Sequence, residues 1–262
     1  MRLLYLQLEK IVLWRNKHIK QRTFIMLMSI LIGVTSGLIA ATIKQSVHYT
    51  EYFLTHFFSP YTPNYLYFLY PMLGIGVTVL IAKYIIRNKV NEGIPNTLYA
   101  ISKRRGNIRS HYLFSSIITS AFTVGFGGSV GLEGPTVATA AGWGSNFGRL
   151  FKVDYKTKLL LISTGVAGSM AAIFQAPIAA IVFAVEVIMI DLTTASLVPL
   201  LFASISAILT SKFLMGETIL IDYKLEGIYL FKDVPMFMIL GVFLGLGSVY
   251  YSKTYFAIAE YL

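Results

Sequence analysis

Residues Gly125–Gly148 read GFGGSVGLEGPTVATAAGWGSNFG. A run of glycines leads to one glutamate, one proline and then small residues at helical spacing. Pro135 suits the first turn of a helix, where a missing N–H costs nothing, so a helix is predicted from Thr136 to about Gly148. Apolar segments long enough to cross a bilayer surround it. The helix therefore starts inside the membrane, with unpaired N–H groups and the positive end of its dipole at its N-terminus. Such an end favours an anion. Gly131 and Gly134 let the backbone come close to a small ligand, and Glu133 stands at the same point. An intramembrane carboxylate is costly and marks a functional site by default. It can fill the anion site itself and leave on protonation or displacement. On sequence position alone, a helix cap that satisfies backbone donors explains Glu133 equally well.

Composition bounds the rest. Of 262 residues, 56% are hydrophobic and only 13% charged, where a soluble domain carries about a quarter charged. The charges cluster between long apolar runs, which is the pattern of an all-α polytopic membrane protein. The net charge of +10 does not point to nucleic acid. Its basic residues sit in loops beside apolar runs, where they orient a membrane protein and meet anionic lipid. The chain has no cysteine, hence no disulfide and no thiol metal site. His18, His48, His56 and His111 show no metal-ligand spacing. The glycine run lacks the Lys-Ser/Thr of a phosphate loop, and no nucleophile–histidine pairing supports covalent catalysis. The expectation is a protein that is not an enzyme and has no cofactor or metal.

Taken in order, Leu3–Trp14 reads as an interfacial helix. RNKHIKQR, Arg15–Arg22, is a basic cluster that stays cytoplasmic, so residues 1–22 form one cytoplasmic segment. The first span runs from Thr23 to about Thr42, with Gly33-x-x-x-Gly37 as a close-packing spacing. It can continue past Lys44 toward Phe58. His48–Tyr70, rich in aromatics and holding Pro60 and Pro63, suits the outer interface and a loop. Pro71–Ile86 is a second span. Pro95 opens a short helix, Asn96–Ser102, before a second basic loop, KRRGNIR, at Lys103–Arg109. His111–Val124 is apolar. Lys158–Phe174, Pro177–Asp191 and Pro199–Phe213 are further helices. Residues 216–234 are an extramembrane connection, and 235–262 form a last helix. Pro95, Pro135 and Pro177 each stand where a helix could begin, and short, proline-interrupted helices point to a binding site within the membrane.

The motifs carry a resemblance. GLEGP, Gly131–Pro135, resembles the GxEGP signature of the ClC family of chloride channels and chloride/proton antiporters. NEGIP, Asn91–Pro95, is similar to that family's GSGIP motif. TGVAGSMAAIFQAPIAAIVFAVEVI, Thr164–Ile188, is similar to its helix pair after the glutamate motif. The resemblance covers most of the chain beyond residue 70. It implies that residues 23–215 are the first inverted-topology repeat of a ClC-like fold, with broken, partly spanning helices. Residues 235–262 are then the opening helix of a second repeat. That repeat's GxFxP-type motif and ion-facing tyrosine are absent from this sequence. The chain is therefore expected to be a fragment of a longer product, in preference to a truncated open frame or a half needing a second copy to complete the pore. The family also implies a homodimer, packed through Ile178–Asp191 and Leu197–Phe213, in the plasma membrane with a cytoplasmic N-terminus.

The resemblance assigns roles residue by residue. Glu133 is the gating or proton-exchanging glutamate. N–H groups around Gly131, Leu132, Gly134 and Pro135 form an anion site for chloride or a similar small anion. Glu92, Gly93 and Ile94 form a second one, although Glu92 replaces a serine whose hydroxyl would donate to the ion. A carboxylate there repels an anion unless protonated or turned away, and as a solvated charge it would sit at the cytoplasmic mouth. Val187 occupies the position of the internal proton-transfer glutamate of many antiporters. Its neighbour Glu186 matches a glutamate common in that helix and reads as a structural carboxylate. A valine relays no proton, so a channel-like protein is expected. The alternatives are a proton-coupled antiporter, a non-conducting half, and a cation or proton pathway using Glu133 and Glu186 as ligands. Helix N-termini disfavour the cation reading.

Overall fold

A computed structural model describes residues 15, 17–58, 69–87, 93–188, 193–216 and 230–261. The expected interfacial helix Leu3–Trp14, Glu92 and Asp191 lie outside the described residues. Every element is helical, with no strand among the described residues. They are α1 (Gln21–Phe58), α2 (Tyr70–Leu80), a π-helical turn (Ile81–Ile86), α3 (Gly93–Arg104), α4 (Tyr112–Gly125), α5 (Glu133–Leu150), α6 (Tyr155–Phe174), α7 (Pro177–Ile188), α8 (Thr194–Met215) and α9 (Val234–Tyr261). Among the described residues, four stretches are long and apolar enough to cross a membrane: Gln21–His56, Tyr155–Phe174, Thr194–Met215 and Phe231–Ile258. The chain divides into two compact units, residues 1–220 and 221–262. In the second, a 3-10 turn, Phe231–Asp233, leads into α9.

In the first unit, α6 is the enclosed helix. Leu161, Ile162, Val166, Ala167 and Ala171 have no solvent-exposed area. Small residues make that possible, because they let neighbouring backbones approach closely. A Cβ added at Gly144 would overlap the Leu161 carbonyl, and one at Gly165 would lie 2.5 Å from the Ala140 carbonyl. Rising numbers on one helix thus meet falling numbers on the other, so α5 and α6 are antiparallel. Helices α1 and α8 run parallel: Gly33 lies against Ala203, and Gly37 against Ala207. The Gly33-x-x-x-Gly37 spacing is therefore a packing seam against α8. Asp154 caps α6 through the Thr157 N–H at 3.3 Å. A side-chain hydrogen bond to Thr157, helped by that backbone bond, holds its carboxyl below the usual carboxylate range.

Basic segments converge at one end of this unit. Arg15 donates to the Phe151 carbonyl at 3.4 Å. Gln21 donates to the Thr157 hydroxyl at 3.2 Å, and the Tyr155 hydroxyl donates to the Ile101 carbonyl at 3.4 Å. Arg149 donates to Ser110 at 3.2 Å. The N-terminal cluster, the α3–α4 loop and the α5–α6 loop are thereby joined into one collar. Asp154 is the only acid in residues 15–22, 103–109 and 149–158.

Several boundaries differ from the sequence reading. The aromatic stretch from His48 to Phe58, which suits either a loop or a continuation of the first helix, is helical: α1 runs unbroken for 38 residues. Helix α3 begins at Gly93 instead of Asn96, and α5 at Glu133 instead of Thr136. The first turn needs no N–H donors for its own hydrogen bonds, so a proline fits its third position as well as its first. Helix α8 starts at Thr194, five residues before Pro199, with Thr193 and Ser196 forming a capping box.

Candidate functional site

The two proline-marked helices α3 and α5 begin in the same register. Gly93, Ile94 and Pro95 are the first three residues of α3; Glu133, Gly134 and Pro135 are the first three of α5. In each, a threonine in the first turn and a half bonds back to a carbonyl four residues earlier. Thr97 donates to Gly93 at 3.0 Å, and Thr136 to Leu132 at 2.6 Å. Those bonds hold carbonyls inside their helices. The leading N–H groups have no intrahelical carbonyl to bond.

The two helix starts touch. A Cβ added at Gly93 would overlap the Gly134 carbonyl, with the Gly134 Cα at 3.1 Å. Glycine at 93 therefore permits a backbone-to-backbone approach that any side chain forbids. Among the described residues, a Cβ added at Gly134 meets nothing within 4 Å. The positive ends of α3 and α5 are thus adjacent at Gly93 and Gly134, and a helix start favours an anion over a cation.

Glu133 bends back over this turn. A Cβ at Gly131 would overlap its Oε2 and lie 2.9 Å from its Cδ, so Gly131 supplies the room for the carboxylate. Glu133, Leu132, Gly134 and Pro135 are half-buried and Gly131 is exposed. Leu132 packs on Ile39, Ile43 and Ala140. Ile39 and Ile43 occupy the central part of α1, so the turn stands far from both ends of that long helix.

The other sequence-derived candidates separate. Gly93 and Ile94 are half-buried, and Ile94 packs on the main core. Val187 also packs on that core. Glu186 is exposed and makes no hydrogen bond among the described residues. No group of three or more metal-ligating side chains occurs among the described residues. One residue escaped the sequence reading: Lys44, within the apolar run of α1, donates to the Ile173 carbonyl at 3.3 Å, near the C-terminus of α6. A lone lysine in a spanning run was the available signal. A cation there complements the negative end of the α6 dipole.

Comparison with known proteins bears on this site. A family model described as voltage gated chloride channel matches residues 73–262. An H(+)/Cl(-) exchange transporter ClcA from Vibrio campbellii is 25% identical over 237 residues, 87% of this chain and 51% of its own length. A putative chloride channel protein, ClcB-like, from Ralstonia nicotianae is 31% identical over 143 residues, 53% of this chain and 33% of its own. A slow cyanobacterial Cl-/H+ antiporter superposes with a TM-score of 0.68 at 21% identity, covering 87% of this chain and 55% of that one. A CLC-type fluoride/proton antiporter superposes with a TM-score of 0.66 at 26% identity, covering 86% and 55%. The chain spans about half the length of the curated relative from Vibrio and of both antiporter structures.

Proposed function

Since this chain belongs to the voltage gated chloride channel family, we propose that it supplies the Glu133-gated half of a pathway for chloride or a similar small anion. It is a multi-pass integral membrane protein with spans of the length and composition a bilayer requires. The relatives it resembles are named as transporters and channel proteins, not as enzymes. The observation that carries the proposal is the contact of Gly93 with Gly134. It sets the two helix starts side by side, which supports the reading that their unpaired N–H groups serve one ion.

In this reading ionised Glu133 competes with the permeating anion for the same donors. Protonation removes its charge, the carboxyl group leaves the N–H groups, and the anion enters. The N–H groups of Gly93, Ile94 and Gly134 bind the ion; Gly131 leaves room for the carboxylate while it blocks the site. Glu92 stands where a neutral hydroxyl would aid the ion, and it tunes which anion is accepted. The remaining wall comes from a C-terminal repeat or a second copy, because polar backbone within lipid has to be covered. The N-terminus is cytoplasmic by its basic collar, the host is the plasma membrane, and the assembly is a homodimer.

Val187 favours uncoupled permeation, because a valine packed on the core carries no proton from the inner side. The second reading is proton-coupled exchange, favoured by the names of the antiporters it resembles. Liposome flux separates them. Under a chloride gradient the channel-like reading expects anion flux without uphill proton movement; stoichiometric proton uptake supports exchange instead. A reversal potential that follows sodium rather than chloride contradicts both.

A further inference from the structure

A crevice of about 280 Å³ opens between the beginnings of α1 and α8, lined by Arg22, Ile25, Met26, Thr194, Ala195, Val198 and Pro199. Because α1 and α8 run parallel, its chemistry is graded. Arg22 and Thr194 lie at the collar end, whereas Met26, Val198 and Pro199 lie one turn further in. The Arg22 guanidinium is exposed and makes no hydrogen bond or ion pair among the described residues. Met26 and Val198 are each 37% exposed, so the inner walls are apolar and accessible. Pro199 adds a polar feature within them. It has no N–H to give the Ala195 carbonyl, which is left without its intrahelical donor.

We propose that this crevice holds one anionic phospholipid of the phosphatidylglycerol type. Its phosphodiester lies against Arg22, and an acyl chain covers Ile25, Met26 and Val198. A guanidinium matches a phosphate by paired N–H donors. The collar around it, with Asp154 as its one acid in residues 15–22, 103–109 and 149–158, draws anionic lipid to this face. An apolar groove joined to a single cation at a basic membrane boundary fits a lipid better than a soluble phosphate, which would leave Met26 and Val198 uncovered. The inference does not depend on how Glu133 works.

Native mass spectrometry of the full chain released from detergent tests it, with phosphatidylglycerol, phosphatidylcholine or glycerol 3-phosphate as probe. Retained phosphatidylglycerol is expected to exceed phosphatidylcholine by about fivefold, the effect of one basic residue at an anionic surface. Arg22→Gln removes that excess, and Arg22→Lys restores part of it. Met26→Trp fills the crevice and lowers retention of both lipids. Lys103→Gln, which removes a collar charge away from the crevice, lowers phosphatidylglycerol retention less than Arg22→Gln does. Equal retention of the two lipids, unchanged retention in Arg22→Gln, or an equal loss in Lys103→Gln overturns the proposal. So does glycerol 3-phosphate retained as well as the lipid. Met26→Trp and Lys103→Gln decide the matter if Arg22→Gln does not fold.

Discussion

Gly93 rests on the Gly134 carbonyl with no room for a Cβ between them. This single contact sets the spacing of the α3 and α5 starts. Gly93→Ala is therefore expected to cost about 1–3 kcal/mol by overpacking and to lower anion flux. Gly134→Ala meets no atom within 4 Å and should leave stability unchanged while placing a methyl beside the donors. Thermal unfolding in detergent checks the first effect, and liposome flux checks the second.

Gly131 supplies room for the Glu133 carboxylate. A methyl at 131 collides with the far end of a flexible side chain, which can turn away at little cost. Gly131→Ala is expected to fold normally yet to pass more anion at neutral pH than the parent. Its flux should also depend less on pH. A flux–pH curve superimposable on the parent's would contradict this.

These relationships were only partly legible in the sequence. Pro95 and Pro135 marked where α3 and α5 begin, but each helix starts two residues earlier, since the third position of a first turn also needs no donor. That shift puts Glu133 inside the helix's first turn rather than before it. The sequence leaves the end of α1 open between Thr42 and Phe58, and the helix takes the longer course. Aromatics from His48 onward suggested an interface loop, yet aromatic residues are tolerated in helices, and only tertiary packing decides. The contact of Gly93 with Gly134 joins motifs 41 positions apart, and no periodicity within either motif reports it. Lys44 was visible as a charge in an apolar run, but its carbonyl partner on α6 was not.

Helices α1 and α8 depend on a close approach at Gly33, where a Cβ would overlap Ser206 Oγ and the Ala203 carbonyl. Gly33→Val is expected to separate them and destabilise the first unit by about 1–3 kcal/mol. Gly76→Val, at a glycine whose Cβ meets nothing within 4 Å, should be neutral. Retention of a monodisperse peak on heating distinguishes the two.

His111 lies at the collar, just before α4. Burial, and then the neighbouring Arg109 charge, lower its pKa from the ordinary 6.5. Its Nε2 is buried, with no hydrogen-bond partner among the described residues. The folded imidazole therefore stays neutral where the unfolded one takes up a proton. Its stability contribution is complete above the ordinary value and is lost as pH falls below about 6.5. The unfolding temperature of the parent should fall more between pH 7.5 and 5.5 than that of His111→Gln. Parallel declines would remove His111 as the cause.

The central claim is that the Glu133 carboxylate competes with the permeating anion at the α5 start. The most direct measurement is chloride flux through reconstituted parent, Glu133→Gln and Glu133→Ala proteins, with and without a pH gradient. The account predicts parent flux that rises on acidification, and flux in both variants that is high and independent of pH. Equal pH sensitivity in all three proteins would contradict it.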